Sequence, residues 1–147
     1  MAKFTINLGE YAKRTGAKLE TLAREIVFEI PARIVMRSPV GDPTIWTPPE
    51  APPGYVGGRF RANWQHGFGS YSQSEIDGVD PGGQQTLTAI RASVKAAPAS
   101  GIQYIVNNLP YAVALENGYS TQAPKGMVAL TVVEFEGIVR DEIARMA

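Results

Sequence analysis

The sequence has no cysteine. Disulfides, thiolate nucleophiles and thiolate metal ligands are therefore excluded. It has one histidine, His66. Without a second imidazole or a thiol, the usual zinc ligand sets cannot be assembled, and no motif places His66 in a catalytic triad. A packing or surface role is the expectation for it. An excess of charge is missing too, since 14 basic residues face 14 acidic ones. No net field draws the chain to nucleic acid or to an anionic membrane. No apolar run approaches the roughly 20 residues of a membrane span, and the N-terminal residues contain no apolar signal core. These features lead us to expect a protein that stays in the cytoplasm where it is made.

What is present fits one domain over residues 1–147. Its 147 residues are 44% hydrophobic and 19% charged. A chain of this length buries roughly 68–70% of its unfolded surface, enough for a core without staples. The charge is unevenly spread. Residues 1–37 hold seven basic and four acidic side chains, and residues 126–147 hold two basic and four acidic. Two solvated helix faces account for this better than electrostatic stacking of protomers does.

Leu19, Leu22, Ile26, Ile30 and Ile34 recur at helical spacing and predict a long helix with one apolar stripe. Gly16 is expected to divide it from a short first helix. Pro31 is expected to kink or restart it near Ile30. Residues 39–58 then carry Pro39, Pro43, Pro48, Pro49, Pro52 and Pro53 with four glycines. That composition predicts an extended loop. Its aromatics, Trp46 and Tyr55, argue against plain disorder.

Alternation from Asn63 to Tyr71 predicts a strand with Trp64, His66 and Phe68 on one face. Asp80-Pro81 reads as an N-cap and first helical position, with Leu87, Ile90, Val94 and Ala97 following at helical spacing. Ile102–Val106 reads as a second strand and Tyr111–Asn117 as a short helix closed by Gly118. Val128, Val132, Phe135, Val139 and Ile143 predict one helix running to the C-terminus. The fold class is α+β: long N- and C-terminal helices and a third helix on a small, mostly antiparallel sheet. Two strands alone are marginal, so a further strand is expected from Ser72–Asp77 or from another protomer.

The candidate chemistry is thin. Glu75, Asp77 and Asp80 lack the glycine and distal glutamate of a calcium loop. Glu116 sits among Tyr111, Leu115 and Tyr119 with no carboxylate partner in view, which favours a structural or interface role. Gly57-Gly58-Arg59 lacks the ending of a phosphate loop. Arg59 and Arg61 suit phosphate contacts or interface hydrogen bonds equally. No catalytic, cofactor-binding or metal-ligating set emerges. The aromatics carry more. Interface centres are enriched in Trp, Tyr and Arg. Trp46 and Tyr55 read as partner contacts, whereas Phe60 and Trp64 read as core.

Three strings stand out: Ser38-Pro39-Val40, continued after an insertion by Gly57-Gly58-Arg59-Phe60-Arg61-Ala62-Asn63-Trp64-Gln65; then Val106-Asn107-Asn108-Leu109-Pro110-Tyr111 through Tyr119; then Gln122-Ala123-Pro124-Lys125-Gly126-Met127-Val128. Together they resemble the neck and minor tail components of long-tailed double-stranded DNA phages, described as tail-completion or head–tail joining proteins. Relatives of that kind pass from the first string to the Gly-Arg string through two or three residues, so Gly41 to about Val56 looks like an insertion.

The resemblance implies a structural virion protein with no substrate and no cofactor. It implies a homo-oligomeric ring, commonly sixfold, at the head–tail junction or the top of the tail tube. Its partners would be a connector or head-completion protein on one side and a tail-tube or terminator protein on the other. DNA would pass through the lumen without specific binding, in keeping with the neutral charge, and no membrane is involved. The chain would reside in the virion and, during assembly, in the host cytoplasm. Ring contacts are heterologous, so the patch around Trp46 and Tyr55 should meet a different surface on the next chain. The interface candidates are Trp46, Tyr55, Arg59, Arg61, Tyr111, Glu116, Tyr119 and Met127. Two readings of other classes stand beside this one. One is a small hydrolase or nuclease-like enzyme using Glu116, His66 or the Glu75–Asp80 cluster. The other is a host-encoded peptide-binding module.

Overall fold

A computed structural model of the chain describes residues 7–15, 18–45 and 50–146. Gly16 and Trp46 lie outside the described residues, and with them the expected helix divider and one interface candidate. In chain order the elements are helices α1 (Leu8–Thr15), α2 (Leu19–Arg37) and α3 (Arg59–Ala62), strand β1 (Trp64–Phe68), helix α4 (Gln84–Ala96), strand β2 (Gln103–Asn107), and helices α5 (Ala112–Glu116), α6 (Val128–Val133) and α7 (Phe135–Met146). The architecture is α+β, with helices packed on one two-stranded antiparallel sheet.

Helix α2 is the centre of the molecule, touching α1, α4, α6, α7 and β1. Its apolar residues do not form the single stripe expected. Leu22 and Ile26 pack with Val139 and Ile143 of α7. Ile34 and Val35 pack instead with Phe60, Trp64, Ile90, Val94, Leu109, Ala123 and Met127. A helix buried on two sides needs apolar residues on two faces. Leu19, placed on the stripe by its spacing, is half exposed. The helix also runs through Pro31 without ending. The missing amide costs one hydrogen bond, but Pro31 is itself buried, and packing on both sides holds the helix together.

Helix α4 buries Thr86, Ile90 and Val94, one residue per turn. It starts at Gln84, three residues later than the expected first position at Pro81. Gly83, at φ 77°, interrupts the helical backbone there. Asp80 still caps the helix from upstream. Its carboxylate accepts from the Gly83 amide at 3.1 Å and from the Thr86 amide and hydroxyl, both at 2.8 Å.

β1 pairs with β2 in the register Trp64↔Asn107, His66↔Ile105, Phe68↔Gln103. The strand is shorter than the Asn63–Tyr71 alternation suggested. After Phe68 the chain turns back over the sheet, and a Cβ on Gly67 would run into the Ser70 carbonyl. Residues 72–77 add no third strand. They cross the strand pair held by side-chain amides: Gln65 donates to Ser74 O, and Asn108 donates to Ser72 O and Ser74 O. Tyr71 stacks against Tyr104 at 4.9 Å between ring centres. The sheet face turned away from α4 is thus crossed by the segment that links β1 to α4.

The expected C-terminal helix is two. α6 ends at Val133 and α7 begins at Phe135. Glu134, at the break, is held by Arg33 and Arg37 of α2. A β-branched run, Thr131-Val132-Val133, precedes it and weakens helix propensity locally. In α7, Glu142 is 2% exposed and pairs with Arg145 at 3.0 Å. Burial raises its carboxyl above the ordinary value; Arg145 opposes the shift, and Glu29, Glu25 and Asp141 add to it.

Two outcomes follow for stability. Gly67→Ala forces the returning loop off the sheet and should cost about 1–3 kcal/mol, read as a lower urea midpoint. A carboxyl whose folded pKa is raised stabilises the fold while protonated and loses that contribution as pH rises through the folded value. Glu142→Gln should therefore raise the urea midpoint at pH 7, with the gain shrinking as pH falls through the raised folded value and gone below 4.5, the ordinary value. A gain that does not change with pH would contradict the burial argument.

Candidate functional site: the loops gathered around Ser38

Ser38 follows the last turn of α2 and is 1% exposed. Its amide donates to Val35 O at 3.1 Å, closing the helix. Its hydroxyl donates to Ile34 O at 2.7 Å and accepts from the Trp64 indole N–H at 2.8 Å. Its carbonyl accepts from Arg61 Nε at 3.0 Å. Every polar group of this residue is therefore used, as a buried polar residue requires.

Arg61 spreads its guanidinium over three carbonyls: Ser38 O, Met36 O at 2.9 Å and Pro81 O at 2.7 Å. The end of α2, helix α3 and the Asp80–Pro81 turn are stapled by one side chain. Burial lowers its pKa, with Asp80 opposing. Gln122 forms a second staple. Its amide accepts from Val40 N at 3.0 Å and donates to Val40 O at 2.8 Å, a side-chain imitation of a strand pair. Asn63, fully buried, donates to Arg59 O and Ile76 O and accepts from the Ile76 amide. Asn107 donates to Phe60 O and accepts from the Leu109 amide. The three sequence strings quoted above thus meet in one place.

The candidate interface residues divide into two groups. Arg61 is a structural staple. Glu116 is another. Its carboxylate accepts from the amides of Met127 and Val128, both at 3.0 Å, and of Ala129 at 2.8 Å. These are the unsatisfied donors at the start of α6, and a carboxylate complements that helix end. Gly126 leaves it room, since a Cβ there would strike the Glu116 carboxylate. Met127, also named as an interface candidate, is 0% exposed in the main core. Its place in a loop-like string gave no sign that Leu109, Phe60 and Trp64 close over it.

Tyr55, Arg59, Tyr111 and Tyr119 stay at the surface. Tyr55 packs over Gly41, where a Cβ would meet its ring. Arg59 pairs with Glu75 at 2.7 Å. Tyr111 lies 6.0 Å from the Phe60 ring. Burial raises its phenol pKa, Arg59 opposes, and Tyr55 and Glu75 add to the shift. Tyr55, Arg59, Glu75 and Tyr111 therefore share one neighbourhood. Tyr119 is 85% exposed, and Val113, which the sequence gave no reason to select, is 71% exposed. Val113 lies in α5 and Tyr119 just beyond it, and Glu116 fixes the end of that helix.

The groups considered for catalysis are committed elsewhere. His66 Nδ1 lies 2.7 Å from Ser93 Oγ and Nε2 lies 2.7 Å from Gln103 Oε1. Gln103 presents its carbonyl here, because its Nε2 donates to Pro98 O. His66 Nε2 must then carry the proton, and Nδ1 accepts from Ser93. This is the order of a hydrolase's nucleophile and base. Its members come from α4 and the sheet face that packs on it. The chain of bonds clamps α4 to both strands. Asp80 caps α4 and Glu75 pairs with Arg59, so neither joins His66 or Glu116 in a shared pocket. Among the described residues, no group of three His, Asp or Glu side chains could hold a metal ion.

Ser38→Ala should leave the buried Trp64 N–H without its acceptor and cost about 1–3 kcal/mol, read by chemical unfolding. Glu116→Ala should cost about 1.5–3 kcal/mol and increase hydrogen exchange at Met127, Val128 and Ala129. An unchanged exchange rate there would contradict the capping assignment. No protein-family model, no curated protein and no solved structure matches this chain.

Proposed function

We propose that the chain is a structural virion component of a tailed phage, a ring subunit at the head–tail junction or the top of the tail tube. One observation carries this reading. The three strings that resemble neck and tail-completion proteins are brought together around Ser38, where their residues hydrogen-bond to one another. A resemblance spread over 90 residues of sequence thus corresponds to a single structural unit.

Two further features agree with a docking role. The side chains with chemical potential are saturated by structural contacts, whereas apolar residues at Tyr111, Val113 and Tyr119 face solvent. Exposed aromatic and apolar residues near loops mark contact surfaces. The arginines are largely paired within the chain: Arg33 and Arg37 with Glu134, Arg59 with Glu75, and Arg91 with Glu25. A ring built of such subunits would present little unpaired positive charge to DNA sliding through it.

The test is electron microscopy of lysates from the parent phage carrying an early stop codon in this gene. Full heads beside separate tails, joined into infectious particles when purified protein is added, are the expected result for a junction component. Abnormally long tails would assign it to the tail terminator instead. Normal infectious particles would overturn the virion reading.

A further inference from the structure

An open pocket of about 280 Å³ lies beside the gathered loops, with Ser38 and Gln122 in its wall. Three cations line it: Arg37, Arg61 and Lys125. No carboxylate does. The space between α2 and α4 differs in this respect, because its Arg24 and Arg91 meet Glu20 and Glu25. The rest of the wall includes Met36, Pro124 and Leu130. Apolar walls screen charge less than water does.

Of the three cations, Arg37 has a counter-charge in Glu134. Arg61 has carbonyls instead, those of Ser38, Met36 and Pro81. Carbonyls satisfy N–H groups without bringing a negative charge. A guanidinium also has more N–H donors than these three bonds use, so Arg61 keeps donors in reserve. The carboxylate whose charge acts on it, Asp80, is committed to the amides of Gly83 and Thr86. Lys125 is exposed, and among the described residues it forms no ion pair. The pocket therefore holds two cations without a carboxylate bonded to either, and a partly desolvated cation in that state is costly.

We infer that this pocket binds a phosphate group. A phosphate monoester carries about −1.5 to −2 charges at pH 7, which matches the two cations, Arg61 and Lys125, that the chain leaves unpaired. A carboxylate would offset one of them. The planar guanidinium suits phosphate oxygens, and the ammonium adds a point charge beside it. Because the pocket is open, the group can arrive on a small molecule or on a nucleic-acid backbone. Bound there, it would tie Arg37 at the end of α2 and Arg61 in α3 to Lys125 in the loop before α6. The inference needs one folded subunit only and stands apart from the virion reading.

The test is an NMR titration of the isotope-labelled full chain with inorganic phosphate, at constant ionic strength made up with chloride. The expected result is a saturable shift of the Arg61 Nε–H and of the Lys125 and Gly126 amides. Lys125→Gln, at an exposed position, should weaken binding about tenfold. Lys95→Gln, an exposed lysine of α4 outside this pocket, should leave it unchanged. Acetate should not saturate the same resonances. Shifts that grow without saturation, an unaltered affinity in Lys125→Gln, or equal binding of acetate would each overturn the proposal. A short DNA duplex then separates the two sources. Saturation of the same resonances at a lower phosphate concentration assigns the group to a nucleic-acid backbone. Saturation by inorganic phosphate with no response to the duplex assigns it to a small molecule.

Discussion

The rest of the structure depends on how Ser38 is satisfied. A serine with 1% exposure at the end of the central helix could not be tolerated unless its hydroxyl and carbonyl found partners. They find Ile34, Trp64 and Arg61. Each partner commits a further piece of chain. Trp64 places the first residue of β1, and Arg61 fixes the turn before α4 through Pro81 O. Gln122 then binds Val40, two residues on, and holds the loop that leads into α6. Hydrophobic burial supplies most of the stabilisation around this point. The hydrogen bonds decide which loops lie next to which.

A division of labour results. Side chains that read the backbone, namely Arg61, Asn63, Asn107, Glu116 and Gln122, are spent on holding loops in place. The surfaces those loops present are apolar and aromatic. Glu116 shows the logic at one residue. It sits in a stretch of tyrosines that suggested contact or catalysis, yet it anchors the start of α6. By doing so it fixes the end of α5, next to the exposed Val113 and Tyr119. Structural chemistry in the interior thus sets which apolar side chains stand at the surface.

Much of the fold was legible in the sequence, because period and punctuation act locally. The two strands, the short helix before Gly118 and the long first helix follow from alternation, from β-branched residues and from apolar spacing. What was not legible depended on contacts remote in sequence. The second buried face of α2 exists because α7 packs opposite α4. The break at Glu134 coincides with its pairing to Arg33 and Arg37, a hundred residues away. Asp80 was recognised as a cap, but Gly82-Gly83 moved the helix start beyond it. The candidate site was legible as a set of strings and not as a geometry. Nothing in spacing alone distinguishes Met127, wholly buried, from Tyr119, almost wholly exposed, or joins Gln122 to Val40 across 82 positions.

The central claim is that the gathered strings build the interior of one subunit, and we propose that the α5 surface they leave exposed meets another chain. Electron cryomicroscopy of the neck of the parent virion, at a resolution that traces side chains, tests it most directly. The account predicts a ring of this chain around the channel, with Ser38, Trp64 and Arg61 enclosed within each subunit and the exposed α5 surface at a contact with another chain. Absence of the chain from the particle, or density placing Ser38 and Trp64 at the seam between subunits, would contradict it.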